Sequence, residues 1–87
     1  MAYLAAFQGK VSYLSSLHTI GRLPNGVDLC VSRPEVSRYH ATIKWLPPHW
    51  CIRDISLNGT WLNQKKITKN KDYRLKVGDL IHFGSIN

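Results

Sequence analysis

Polar and apolar positions alternate over short distances along this chain, and the alternation is cut every few residues. Ala41-Thr-Ile-Lys-Trp45 puts Ala41, Ile43 and Trp45 on one face and Thr42 and Lys44 on the other, the period-two pattern of a half-buried strand. Trp50-Cys-Ile-Arg-Asp-Ile55 is aromatic and β-branched, as strands prefer. Leu80-Ile-His-Phe83 follows a Gly-Asp turn, and Val11-Ser-Tyr-Leu14 and Thr19-Ile20 are further short strands. Gly9, Leu23-Pro24-Asn25-Gly26, Pro34, Pro47-Pro48, Asn58-Gly59, Gly78-Asp79 and Gly84 separate these runs. No segment of helical length carries an i, i+3, i+4 apolar stripe. Many short strands with closely spaced turns predict an all-β sandwich or barrel. Pro47-Pro48 with His49 predicts the tip between two neighbouring strands, because prolines remove ladder donors. Asn58-Gly59 is a strong hairpin signal, yet Ser56, Thr60 and Asn63 surround it, and small polar side chains weaken a core.

Length limits the picture to a single small domain, residues 1–87, with no linker and no repeat. Such a chain buries roughly 60 % of its unfolded surface in one modest core. Hydrophobic residues at 44% and charged residues at 20% are ordinary for a globular domain. No apolar run approaches the ~18 residues of a membrane span. The N-terminal Met-Ala-Tyr-Leu-Ala-Ala-Phe ends at Gln8, Gly9 and Lys10, lacks a basic start and is too short for a secretion signal. The expectation is a cytoplasmic chain with no membrane partner. Cys30 and Cys51 sit in apolar runs and are expected to be buried free thiols, since small secreted domains usually carry more bridges. His18, His40, His49 and His82 are scattered and no Cys-x-x-Cys occurs. Neither zinc nor any other cofactor is expected.

Charge changes the picture more. Twelve Lys and Arg against five Asp and Glu leave a net charge of +7, which favours a polyanionic partner: nucleic acid, anionic lipid or phosphorylated protein. Lys65, Lys66, Lys69, Lys71, Arg74 and Lys76 cluster in residues 65–76. Such a cluster is most often a solvated face or a protected strand edge. A basic nucleic-acid-binding β domain is the alternative reading. It is disfavoured because no recognition motif is present and Trp45, Trp50 and Trp61 lie on strands, where they are expected in the core.

Three stretches carry candidate chemistry. Thr19-Ile-Gly-Arg22 ends a strand, Val36-Ser-Arg-Tyr-His40 precedes one, and Ser56-Leu-Asn-Gly-Thr60 with Asn63 follows one. Singly each is unspecific. Loops gather at the ends of a sandwich, so together they would offer hydroxyls, guanidinium groups and a carboxamide at one rim. That set suits a phosphate monoester, with its charge of about −1.5 to −2 and three acceptor oxygens. Arg grips it bidentately and Ser donates one hydroxyl bond.

Ile20-Gly21-Arg22, Asp28 to Val31, Ser37-Arg38-x-His40, Asp54-Ile-Ser-x-Asn58-Gly59-Thr60-x-x-Asn63, Val77-Gly78-Asp79-x-Ile81 and Phe83-Gly84 follow one another in an order that resembles a forkhead-associated domain over residues 19–84. The resemblance implies a two-sheet antiparallel β-sandwich with its binding loops at one end. It also implies a non-catalytic signalling module that binds phosphothreonine in partners modified by Ser/Thr kinases. By that resemblance Arg22 contacts the phosphothreonine and its neighbouring backbone. Ser37 bonds the phosphate, Arg38 adds a second contact and Asn58 bonds the peptide main chain. Gly21, His40, Gly59, Thr60 and Asn63 support the site: His40 as a buried brace, Gly59 as the turn, Thr60 and Asn63 as turn-fixing groups.

Departures from the family pattern carry expectations too. Many relatives have Ser or Thr where this chain has Leu57. Losing one neutral hydrogen bond of about 0.5–1.5 kcal/mol would weaken binding several-fold. Arg38 is expected to compensate. Glu35, two residues before Ser37, lies in the loop that in relatives reads the third residue after the phosphothreonine, and an acidic group there should repel acidic targets. Relatives continue past Phe-Gly with another strand, whereas this sequence stops at Ser85-Ile86-Asn87. Residues 3–8 are therefore expected to lack a partner and leave an open edge, as in a fragment of a longer protein. Ser37, His40 and Asp54 match the residue types of a hydrolytic triad, but no nucleophile elbow accompanies them. Asn58-Gly-Thr60 fits a glycosylation sequon that an unsecreted chain never presents.

Overall fold

The computed structural model describes residues 3–6 and 17–84; the strand expected at Val11–Leu14 lies outside them. Among the described residues nine strands form: β1 (Tyr3–Ala6), β2 (Leu17–Gly21), β3 (Leu29–Cys30), β4 (Ala41–Leu46), β5 (His49–Asp54), β6 (Thr60–Leu62), β7 (Lys65–Lys66), β8 (Asp72–Arg74) and β9 (Leu80–Phe83). They make a four-stranded sheet ordered β1-β9-β6-β7 and a five-stranded sheet ordered β3-β2-β4-β5-β8. The pairs are antiparallel except β2 with β3, which runs parallel. No helix is present among the described residues, so none is long and apolar enough to cross a membrane.

The alternation read from the sequence sets which side chains go inside. Ala41 and Ile43 of β4, Ile52 of β5 and Ile81 and Phe83 of β9 face inward, with Ile20, Val31, Val36, Ile67 and Leu75 completing the core. Leu80 and His82 of β9 point away from it, as a period of two requires. Burying one side chain the size of Ile52 contributes about 1.5–3 kcal/mol, so ten such positions are what holds two short sheets together.

Expectation and structure differ at several points. Residues 3–6, expected to lack a partner, have one: Tyr3 pairs with Phe83 and Ala6 with Leu80 of β9, which leaves β1 as the outer strand of its sheet; residues 7 and 8 lie outside the described residues. The tryptophans are not core. Trp45 is 41% exposed and Trp50 and Trp61 are half-buried. Trp45 lies opposite Trp50 beside the turn of the β4–β5 hairpin, ring centroids 5.4 Å apart, and Trp50 packs against the rim of the core. Cys30 is exposed and Cys51 half-buried, both free; burial pushes the Cys51 thiol up and keeps it protonated.

The turn chemistry also divides. Pro47-Pro48 joins β4 to β5 with Leu46 facing His49, as expected. Asn58-Gly59 makes no hairpin. It ends the connection from β5 in one sheet to β6 in the other. The two-residue hairpin turn is Asn63-Gln64, between Leu62 and Lys65. Both residues have positive φ, 51° and 70°, the requirement of a type I′ turn. Lys65 and Lys66 on the outermost strand of their sheet protect that edge, and Lys69, Lys71, Arg74 and Lys76 are exposed.

Candidate functional site

Three connections meet at one end of the sandwich. The first leaves β2 at Gly21 and carries Arg22; the second, residues 31–40, runs from β3 to β4; the third, residues 55–59, crosses between the sheets. They are tied to each other rather than only to their own strands. Arg22 N–H donates to Ser37 O at 3.0 Å, and Arg22 Nε donates to Val36 O at 2.9 Å. Leu57 N–H donates to Ser37 Oγ at 3.0 Å, and Asn58 Nδ2 donates to Glu35 O at 2.8 Å. Arg22, Ser37 and Asn58, far apart in sequence, therefore share one rim.

Each polar group keeps capacity after these bonds. Arg22 spends one of five guanidinium donors on Val36 and is exposed, leaving its two η nitrogens for a ligand. The Ser37 hydroxyl accepts from Leu57 and retains its own proton to donate. Arg38 is exposed beside it. Asn58 uses its amide nitrogen to hold the second loop, so it is less outward-aimed than its place in the motif suggested.

Close approach explains Gly21. A Cβ there would collide with the Arg38 carbonyl oxygen, so any other residue would push the Arg22 and Ser37 loops apart. Gly59 takes φ +103°, a conformation closed to most side chains.

His40 lies beneath the rim at 0% exposure. Ser37 N–H donates to its Nδ1 at 3.0 Å, and its Nε2 is 2.8 Å from Gly59 O. An acceptor at Nδ1 and a carbonyl at Nε2 require the neutral imidazole protonated on Nε2. Burial holds its pKa below 6.5; the Gly59 carbonyl and the nearby Asp54 charge oppose that shift without reversing it. Both ring nitrogens are committed to backbone, and neither receives the Ser37 hydroxyl, so the residue types of a hydrolytic triad are present here without its geometry.

Asp54 answers why small polar side chains surround Asn58-Gly59. Its carboxylate is 2% exposed, and Oδ1 accepts from Ser56 N–H at 3.1 Å, Ser56 Oγ at 2.5 Å and Thr60 Oγ1 at 2.8 Å. Ser56 Oγ in turn accepts Gly59 N–H at 2.8 Å. A buried charge needs such donors, and meeting them folds the third loop around one atom. This hub was absent from the sequence reading of the site, although the Asp-x-Ser-x-x-x-Thr spacing is the signal for it. Asn63 works further off. Its Nδ2 donates to Asp79 Oδ1 at 3.0 Å and its Oδ1 accepts Leu80 N–H at 3.0 Å, which anchors the β6–β7 turn rather than the rim.

Comparison with known proteins places this geometry. The family model of the FHA domain matches residues 18–84. The chain is similar to human kanadaptin, 34% identical over 76 residues that make up 74% of this chain and 10% of kanadaptin; it thus spans about a tenth of that relative. Among solved structures it is similar to Mycobacterium tuberculosis EmbR in complex with a low-affinity phosphopeptide, 28% identical with a TM-score of 0.72, covering 95% of this chain and 23% of that one. It is also similar to a protein from a structural and functional analysis of phosphothreonine-dependent FHA domain interactions, 26% identical with a TM-score of 0.72, covering 93% and 84% of the two chains.

Proposed function

We propose that this chain, which belongs to the FHA domain family, is a phosphothreonine-dependent protein interaction module that binds without catalysis. Arg22, Ser37 and Arg38 hold the phosphate, and Asn58, its Nδ2 held by Glu35 O, offers its Oδ1 to the peptide main chain. The observation that carries this reading is the Leu57 N–H bond to Ser37 Oγ. It fixes the hydroxyl beside Arg22 with its proton free for an anionic acceptor. A phosphate placed there meets charge-assisted donors on loops that are already ordered. The unphosphorylated partner leaves those donors unpaired, which is the source of discrimination. The charge is written by a Ser/Thr kinase acting on the partner, in the cytoplasm. Leu57 supplies no hydroxyl, and Arg38 offsets that loss.

Titration of a phosphothreonine peptide beside its dephosphorylated copy tests this. Binding is expected only with the phosphate. Arg22→Ala and Ser37→Ala should each cost about 1.5–3 kcal/mol, roughly 10- to 150-fold in affinity. Equal affinity for the two peptides would sink the proposal. Glu35 adds a preference. Its own backbone N–H holds its carboxyl below the usual range, so it is ionised at neutral pH. Neutral or basic residues are expected three positions after the phosphothreonine, and a peptide array favouring Asp there would refute it.

A further inference from the structure

The second side of the Asn58-Gly59 loop is as well built as the first, and nothing so far uses it. A cleft of about 280 Å³ opens there, lined by Leu57, Lys66, Ile67, Thr68 and Lys69, with Asp54, Ser56 and Gly59 at its base. It starts one residue from the phosphate site, because Leu57 both donates to Ser37 Oγ and lines the cleft. Its position is no accident of two long side chains on a surface. The Lys66 stem lies across Gly59, so closely that a Cβ on Gly59 would fall 2.6 Å from Lys66 Cε. Lys66 Nζ sits 5.5 Å from the Trp61 ring centre, which holds the ammonium over that face. Lys69 is fixed in the backbone by a parallel bridge to Asp54. The one carboxylate in the lining, Asp54, is buried and turned to Ser56 and Thr60. Two lysines therefore line a cleft with an apolar part from Leu57, which is 87% exposed, and from Ile67.

We propose that this cleft takes a second anionic side chain of the bound phosphopeptide, a carboxylate or a second phosphoryl group, held by Lys66 and Lys69. The proposal rests on the phosphothreonine reading above and names the class of peptide that site prefers. Its chemistry is ammonium–anion pairing at a half-open site, with the alkyl part of the ligand against Leu57 and Ile67.

Peptides carrying one phosphothreonine, with Glu or a second phosphothreonine moved through the flanking positions, provide the test. At one or more positions the second anion should raise affinity about threefold to tenfold at low salt over the alanine peptide, and the gain should shrink as salt is added. Lys66→Gln/Lys69→Gln should remove the gain and leave the alanine phosphopeptide within about twofold of its original affinity. Lys66→Glu/Lys69→Glu should reverse the preference toward Lys-bearing peptides, which simple loss of folding would not do. Comparing Glu with phosphothreonine at the preferred position shows which anion is the better ligand. No gain at any position, or equal losses for acidic and alanine peptides in the Gln variant, would overturn the proposal while leaving the phosphothreonine reading intact. Absence of phosphate-dependent binding to every peptide would overturn both. A single-stranded oligonucleotide that binds more tightly than the acidic phosphopeptide, and is lost in the Gln variant, would also overturn it by assigning the lysines to nucleic acid.

Discussion

Two buried polar residues organise the rim, and they do different work. His40 ties loop to loop through backbone at both ring nitrogens, so it must be neutral to function. Its folded pKa lies below the 6.5 of the free side chain. Below about pH 6.5 the unfolded chain takes up a proton that the fold refuses, so the contribution of His40 is complete above that value and falls as the pH drops toward the folded pKa. Urea denaturation between pH 7.5 and 5.5 should show stability declining with acidification, and His40→Gln should be less stable but flatter across the same range. Parallel slopes for the two proteins would exclude His40 as the titrating group. Asp54 gathers three donors on one oxygen. Asp54→Ala leaves all three without their acceptor and should cost about 2–4 kcal/mol, measured as a lowered denaturation midpoint. Ser56 and Thr60 drew attention in the sequence because they are polar where a core would be apolar. The Asp-x-Ser-x-x-x-Thr spacing offers Asp54 as their partner, but a hydroxyl has many possible partners and the fold selects this one by burying the carboxylate.

At the scale of elements, strand existence was legible where alternation was clean. β4, β5 and β9 stand within about a residue of their expected positions, since a period-two pattern with one buried face fixes both the element and its register. Turn identity was less legible. Asn-Gly is the favoured hairpin pair, yet it serves a crossing between sheets, while Asn63-Gln64 makes the hairpin. A non-glycine residue at φ 70° carries strain. Gln64→Gly should therefore stabilise the domain by about 0.4–1 kcal/mol with an unchanged denaturant slope. A loss of stability would show that the Gln64 side chain makes a stabilising contact in the folded state that outweighs its backbone strain. Trp45 illustrates the opposite error. It continues the alternation of Ala41 and Ile43, but it stands beside the hairpin turn, where its ring meets Trp50 and is left partly in water.

For the molecule as a whole, binding and stability are linked because the site is made of three separate loops. A ligand that bridges them stabilises only the folded state. At a hundredfold excess over its dissociation constant, a phosphothreonine peptide should add about 2.7 kcal/mol, raising the melting temperature by roughly 10–20 °C in a domain of this size. The dephosphorylated peptide should leave it unchanged, and Arg22→Ala should lose most of the shift. Calorimetry on the three mixtures checks this directly. The net charge of +7 acts at the same scale. It steers any phosphorylated partner toward the domain, and association should slow as salt is raised.

The period of the apolar residues was enough to determine an all-β fold, and the order of short motifs, through the family it resembles, pointed to the sandwich and to the loops that meet at the rim. Patterns of that kind survive in one dimension because burial alternates along each strand and special turns demand special residues. The partner of β1, the hub at Asp54, the exposure of the tryptophans and the lysine-lined cleft beside Leu57 were decided by tertiary structure alone. The first, third and fourth depend on which segments come to lie side by side in the folded sheets; the hub joins residues only two to six apart, and the fold decides it by burying the carboxylate among them. Neighbour relations across sheets leave no periodic trace in the sequence.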